Sequence, residues 1–399
     1  MIFMSYWFVV FVLSFFVLYW SFPVFEIRRI LILVFSIVFQ FHFAGPAGVI
    51  PILALAILTY LAGISKLRWF QIIAITISVS MLIFYKYMIF LTTEFISLIS
   101  AEMGIKAANM LKNNILPSSP PLAISFFVFE FVHYLVDVIK GQRPIKSASD
   151  FSLFTLFWPT MVAGPIKRYK QFIPSMKTGC SFASEEDLMT GLIKVANGLV
   201  KKFTADNLTI LIDARVAQFD ILPAHYRWLI FIAIGFRILL DFSGYSDMAI
   251  GFSRMMGIKV PENFNWPYLA SSPIEFWQRW HISLSSWIKD YIYIPLGGGR
   301  VSLPRKVANG FLAFALCGLW HGAGYNFLVW GIYHGVGIAF NNFWREKIAN
   351  TFHLPEYFLL PANILSRILT FLFVLTGWLF FFYPISSAIN MIGLLLWGR

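Results

Sequence analysis

Charge is what this sequence has least of. Only 13% of its 399 residues are Asp, Glu, Lys or Arg, where a soluble domain carries roughly a quarter. That is too little polar surface to cover a water-soluble globule, so lipid must solvate much of the chain. Cysteine is nearly absent as well. Cys180 and Cys317 lie far apart, the second inside an apolar run, which excludes a disulfide framework. No fixed-period repeat and no long polar linker divides the chain, so 1–399 reads as one membrane domain. The first apolar segment, 2–22, has neither a positive n-region nor a small-x-small cleavage site. It therefore reads as a retained membrane helix, long enough for the roughly 30 Å hydrocarbon core.

What fills the chain instead is apolar and aromatic: 59% hydrophobic residues, and 19% Phe, Trp and Tyr. Further spanning candidates are 30–43, 49–64, 70–91, 123–139, 226–240, 311–320, 326–340, 364–382 and 388–397. Several are short enough to be tilted, buried or re-entrant. The fold class expected is all-α and polytopic, with roughly 10–12 transmembrane or re-entrant helices. Within it, 1–115 holds N-terminal helices, 120–340 a core and 341–399 C-terminal helices.

The 31 basic residues outnumber the 19 acidic ones, for a net charge of +12. They come in twos and threes between apolar stretches, as at Arg28-Arg29, Lys167-Arg168 and Lys201-Lys202. Such scatter argues against nucleic acid and fits cytoplasmic loops beside anionic headgroups, including 66–68, 140–146 and 167–170.

Two stretches do not read as lipid-facing helices. In 185–213, apolar residues alternate with Lys194, Lys201, Lys202 and Asp206 at near-helical spacing, the pattern of an amphipathic helix. The stretch 241–305 is dense in Trp, Pro, Gly, Ser and charge, yet apolar helices bracket it. Irregular backbone at membrane depth survives only inside protein or along a wet cavity, so the site is sought there.

Three histidines crowd this third of the chain: His281, His321 and His334. His321 ends an apolar run, follows Trp320 and precedes the small residues Gly322 and Ala323. An ionisable group so placed is costly and invites a functional reading; the alternative is a neutral histidine satisfied within the bundle. A metal site lacks support, because the three share no i, i+3 or i, i+4 spacing and no adjacent cysteine. A Ser283–His281–Asp290 triad can be drawn on paper, but no nucleophile elbow accompanies it and Ser283 reads as a local hydrogen-bonding serine. Asp241 and Asp247 read as ion-pair partners of Arg237, Arg254 or Arg279, and the glycines of 295–300 as a turn.

Ordered motifs then accumulate. Trp158-Pro-Thr-Met-Val-Ala-Gly164-Pro165-Ile-Lys-Arg168-Tyr is followed by Asp241-Phe-Ser-Gly-Tyr245-Ser-Asp247-Met-Ala-Ile-Gly and Pro261-Glu-Asn263-Phe-Asn265. Next come Glu275-Phe-Trp-Gln-Arg-Trp-His281-Ile-Ser-Leu-Ser-Ser-Trp287-Ile-Lys-Asp290-Tyr, Ile294-Pro-Leu-Gly-Gly and Gly318-Leu-Trp-His321-Gly. Together they resemble the membrane-bound O-acyltransferases over residues 120–340, and the N-terminal helix is also similar. The likeness is to the bacterial branch of alginate O-acetyltransferases, peptidoglycan O-acetylation subunits and the D-alanyl transfer protein of teichoic acid.

The resemblance implies a ring of helices around a central tunnel, in a bacterial inner, cytoplasmic membrane. It implies His321 as the active-site histidine and His281 as the second polar active-site position. Trp280, Trp287, Trp320, Asn326 and Asp290 are expected to shape the substrate path, with aromatic packing the alternative reading of the tryptophans. The chain departs from the alginate branch at Glu130, where Gln is common, and at His133, where a small residue is common. Both bear on acceptor identity. Ending at Arg399, it is shorter than many members and is expected to lack terminal helices.

Chemistry agrees with that role. Acyl transfer to an alcohol needs a base for the hydroxyl proton and a donor for the oxyanion. A histidine kept neutral by desolvation has a lone pair to serve as base. The expectation is transfer of acetyl from a thioester, acetyl-CoA or an acyl carrier protein, with no tightly bound cofactor and no metal. The acceptor is a hydroxyl of an exported polysaccharide or cell-wall glycan, reached directly or through an extracytoplasmic partner. The alternatives are D-alanyl transfer from a carrier protein to teichoic acid and a transporter without chemistry, for which the expected inverted repeats are missing.

Overall fold

The structure, a computed structural model, describes residues 2–117, 120–348 and 355–398. Part of the C-terminal region expected to be helical, 349–354 and Arg399, thus lies outside the described residues. Fifteen α-helices and no β-strand occur among the described residues, apart from one isolated bridge between Phe264 and Trp280.

The chain divides into two compact units, Met1–Asn197 with Tyr245–Pro261, and Gly198–Gly244 with Glu262–Arg399. The first contains α1 (Tyr6–Ser21), α2 (Phe25–Ile64), α3 (Arg68–Ser97), α4 (Ala101–Asn114), α5 (Ile124–Ile139), α6 (Ala148–Thr155) and α7 (Tyr169–Ser181). Two long helices, α8 (Glu185–Val216) and α9 (Ala224–Met255), contribute a part to each unit. The second unit adds α10 (Pro273–Arg279), α11 (Ile282–Ile288), α12 (Leu303–His321), α13 (Tyr325–Phe343), α14 (Glu356–Phe382) and α15 (Ile385–Trp397).

Local chemistry sets many of the boundaries. Ser5, Ser147 and Ser272 each accept a backbone N–H at the start of α1, α6 and α10, and Pro273 takes the first turn of α10, where a missing N–H costs nothing. The expected spans 30–43 and 49–64 form one helical run, α2, broken at Gly45 (φ 61°) with Pro46 behind it. Among the described residues, four helices are long and apolar enough to cross a bilayer: α2, α3, α9 and Phe358–Phe382 of α14. Val10, Leu13 and Val17 on α1 and Ile50 and Ile57 on α2 are exposed, as lipid-facing residues should be. The chain is an all-α, multi-pass membrane protein.

The core of the first unit is aromatic. Trp158 is wholly buried and meets the edges of Phe8, Phe11 and Phe15 at ring-centroid distances of 6.0, 5.4 and 5.5 Å. Its backbone N–H is tied to Ser36 Oγ at 3.1 Å. Edge-to-face contacts of this kind add to burial itself.

One expectation needs correction. The irregular stretch does not begin at Asp241, because α9 continues to Met255. Ser243, Gly244, Ser246 and Gly251 looked like loop residues, but small residues also let helices approach closely. Such residues serve that purpose here, with Gly244 lying against Gly198 and Gly251 against Gly191 of α8. From 256 to 302 the backbone is irregular as expected, with only short helices and a π-helical turn at Lys289–Tyr293.

Candidate active site

The second unit's histidines are placed by a pair of glycines. A Cβ on Gly318 of α12 would lie 2.2 Å from Phe327 O, and one on Gly331 of α13 would lie 2.3 Å from Phe314 O. Only hydrogen fits at both, so α12 and α13 touch backbone to backbone. That contact sets His321, the last residue of α12, beside Trp330 of α13 at 5.0 Å between rings. Trp320 lies 4.7 Å from the same imidazole and Phe381 of α14 lies 5.1 Å from it, both edge-on. His321 is half-buried in this aromatic box.

His334 follows Trp330 by one helical turn, its ring 5.0 Å away, and is wholly buried. Trp277 Nε1–H donates to His334 Nδ1 at 3.3 Å. An indole is donor-only, so Nδ1 holds the lone pair and the proton sits on Nε2. Among the described residues that Nε2 has no hydrogen-bond partner, and neither does the indole nitrogen of buried Trp330.

His281 reaches the group from a different element. It stands immediately before α11 with left-handed backbone, φ 43° and ψ 54°, which a non-glycine residue adopts only when its surroundings impose it. Asn263 supplies the constraint. Its carbonyl accepts Ile282 N–H at 3.0 Å, and its Oδ1 accepts the N–H and the hydroxyl of Ser283 at 3.2 and 2.6 Å. The His281 ring is 1% exposed, held edge-on by Phe242 at 4.6 Å and 6.3 Å from Trp320. Its Nε2 has no hydrogen-bond partner among the described residues. Shared tryptophans link the three: Trp320 lies 6.3 Å from His281 and 4.7 Å from His321, and Trp330 lies 5.0 Å from both His321 and His334.

Beside the group lies a cavity of about 380 Å³, within the usual range for small-molecule sites. Trp277, Phe314 and Cys317 form an apolar wall, with Lys289 and Tyr293 also at its edge. The lining stops short of the histidines themselves: Ile282 follows His281, and Cys317 is one turn before His321. Glu275, on α10, accepts Ser271 N–H and O–H at 2.7 and 2.6 Å and Arg279 at 3.0 Å. Partial burial pushes its carboxyl up, but these donors outweigh it and hold the group below the ordinary carboxylate range.

The residues expected from sequence separate into two sets. His321, His281 and Trp320 come together. Asn326 Nδ2 donates to Phe381 O at 3.4 Å and so anchors the ring that flanks His321. Trp280 packs among Phe264, Phe276 and Trp378, which is aromatic core. Trp287 lies on Tyr291 at 5.3 Å, and Asp290 is exposed in the π-helical turn.

Ser283 is engaged with Asn263, as a local hydrogen-bonding serine should be. The ion pairs of Asp241 and Asp247 exist, but with lysines of α8: Lys202 for Asp241 and Lys194 for Asp247. Arg237, Arg254 and Arg279 pair instead with Asp213, Asp187 and Glu275. The partners were misassigned because the polar face of α8 packs on α9, which spacing within one segment does not show.

Sequence reasoning assigned no role to Asn263, Trp277 or Trp330. The one available signal was the pair of glycines, Gly318 and Gly331, each facing a partner helix.

A family model of the membrane-bound O-acyltransferase family matches residues 85–386. The probable alginate O-acetylase AlgI of Pseudomonas aeruginosa is 39% identical over 263 residues, covering 65% of this chain and 48% of that protein. The peptidoglycan O-acetyltransferase of Helicobacter pylori is 33% identical over 341 residues, or 79% of this chain and 62% of its own. The teichoic acid D-alanyltransferase of Bacillus subtilis is 31% identical over 293 residues, or 66% and 71%. The chain spans about half the length of the alginate relatives it matches.

Proposed function

The chain belongs to the membrane-bound O-acyltransferase family, and from that premise we propose that it moves an acyl group from a thioester to a hydroxyl. The acyl group is acetyl in the first instance, and the donor a cytoplasmic one, acetyl-CoA or an acyl carrier protein. The acceptor is an exported polysaccharide or cell-wall glycan, reached directly or through an extracytoplasmic transferase. The observation that carries this reading is the open nitrogen of His281. A buried polar atom without a partner costs roughly 1–3 kcal/mol and calls for a reason. Here the ring shares its neighbour Trp320 with a second histidine, His321, beside a cavity of ligand size.

The roles follow from these positions. His321 takes the proton of the acceptor hydroxyl as its oxygen attacks the thioester carbonyl carbon. The electron pair moves to the carbonyl oxygen, and His281 donates a hydrogen bond to that oxyanion. Collapse breaks the carbon–sulfur bond, and the leaving thiolate receives the proton from His321. The apolar cavity walled by Trp277, Phe314 and Cys317 suits a thioester arm, with Lys289 a cation for the donor's anionic end.

The deciding experiment is incubation of purified protein in detergent with separate thioester donors, acetyl-CoA and acyl-loaded carrier protein. Loss of acyl from one donor, dependent on acceptor and on His321, supports the reading; loss from neither overturns it. A second reading, D-alanyl transfer to teichoic acid, is favoured by the larger share of that relative's length that the chain covers. It requires a D-alanyl-loaded carrier to be the active donor in the same assay.

A further inference from the structure

The first unit holds a cleft that the acyl-transfer reading does not use. Its volume is about 390 Å³, and its lining includes Lys167, Arg168, Gln171, Ser175 and Lys259 but no carboxylate. We propose that this cleft, whose lining includes none of the three histidines, binds a phosphate-bearing anion.

The cleft is a built feature. One wall is α7 and the other is the 256–261 segment, fastened to α7 by a close approach of two glycines. A Cβ on Gly179 would lie 2.6 Å from the carbonyl carbon of Gly257, and Gly257 itself has φ +74°. Tyr19 Oη donates to Met256 O at 3.0 Å, and Lys259 N–H donates to Ser175 Oγ at 2.6 Å. Both walls are therefore held before any ligand arrives, which lowers the ordering cost of binding.

The donors in the cleft suit an anion with several oxygens. Lys167 is committed to Glu130 at 2.6 Å and is buried. Lys259 is exposed and makes no ion pair among the described residues. Arg168 adds a forked guanidinium, the geometry that matches phosphate oxygens. Because Ser175 Oγ accepts from Lys259 N–H, its own O–H is left to donate, and the Gln171 amide lies alongside. Phe172, Val260 and Pro261 give the cleft an apolar lining, where charge-assisted hydrogen bonds are stronger than in open water. The volume exceeds that of a bare phosphate, so the anion carries a substituent. Two sources supply that chemistry: an anionic phospholipid headgroup and a soluble phosphopantetheine-type phosphate.

The test is thermal unfolding of the full chain in uncharged detergent with four probes: dihexanoyl phosphatidylglycerol, dihexanoyl phosphatidylcholine, 4′-phosphopantetheine and inorganic phosphate. Two variants accompany wild type. Lys259→Glu reverses an exposed charge, and Thr178→Trp fills the cleft from an exposed position. Stabilisation by phosphatidylglycerol but not phosphatidylcholine, weakened about tenfold or more in both variants, identifies a lipid headgroup; that is the scale of one lost charged hydrogen bond. The same pattern with phosphopantetheine or phosphate identifies the soluble source. If no anionic probe raises the melting temperature, or both variants respond as wild type does, the proposal is overturned. Acyl transfer is not measured, so failure here leaves the proposed acyl transfer untouched.

Discussion

Two buried polar clusters, one in each unit, follow opposite rules. In the first unit, Glu130 and Lys167 are almost wholly buried, and each answers the other at 2.6 Å. Lys167 Nζ also lies within 6.0 Å of the ring centroids of Phe154, Phe157 and Phe172. In the second unit, His281, Trp330 and His334 are equally buried, yet each keeps a nitrogen with no hydrogen bond among the described residues. A charge removed from water must be paired or it destabilises the fold. A neutral nitrogen is cheaper to leave open, and an open nitrogen can meet a substrate. Pairing suits a structural part for the first cluster, and openness suits the chemistry proposed for the second.

Substitution at the two clusters should break this comparison if it is wrong. The largest effect is expected for His321→Ala, which should slow acyl transfer about 10²–10⁴-fold, the range for a lost general base, with the melting temperature nearly unchanged. Lys167→Met should do the reverse. Leaving Glu130 buried and unpaired costs roughly 3–5 kcal/mol, read as loss of folded protein in detergent, and Glu130→Leu added to it should restore much of that loss. Near wild-type transfer by His321→Ala, or full stability of Lys167→Met alone, would sink the contrast.

Smaller effects sharpen it. His281→Ala should lower the rate by roughly one to three powers of ten, the scale of a lost oxyanion donor, with donor affinity little changed. Asn263→Ala removes the acceptor that imposes the left-handed turn at His281. It should cost about 1–3 kcal/mol of stability and lower the rate as well. Asn263→Asp keeps that acceptor and should recover the rate more than the stability. A rate unchanged in Asn263→Ala would show that His281 needs no such positioning.

The smallest effect is one of pH. Glu275 titrates below its ordinary value of 4.5 in the folded protein. Its contribution is therefore fully present above about 4.5 and is lost as pH falls through the lower folded value. Melting temperature measured from pH 6 downward should show a steeper acid decline in wild type than in Glu275→Gln. Parallel declines would remove Glu275 from the account.

The class of the protein was legible from composition. With so few charges, lipid must solvate the chain, and continuous apolar runs of about 20 residues suit membrane helices, whereas barrel strands are shorter and alternate. The family was legible because its motifs are contiguous strings, such as Trp158 to Arg168 or Gly318 to His321, which need no folding to be recognised. Even the break in α2 could be read, since Gly45 and Pro46 punctuate it locally.

Contacts between distant segments were not legible. Small residues in 241–255 signal a loop or a tightly packed helix equally well, and only the presence of α8 decided for the helix. The lysine partners of Asp241 and Asp247 follow from that same packing. Trp330 became a neighbour of His321, with His334 one turn further along α13, because two glycines on different helices allow backbone contact. His281 joined them because Asn263, eighteen residues earlier, holds its backbone in the left-handed region. The sequence by itself determined which groups are chemically able to act. Which of them are paired and which stay open depends on neighbours supplied by other helices, and that only the tertiary structure decided.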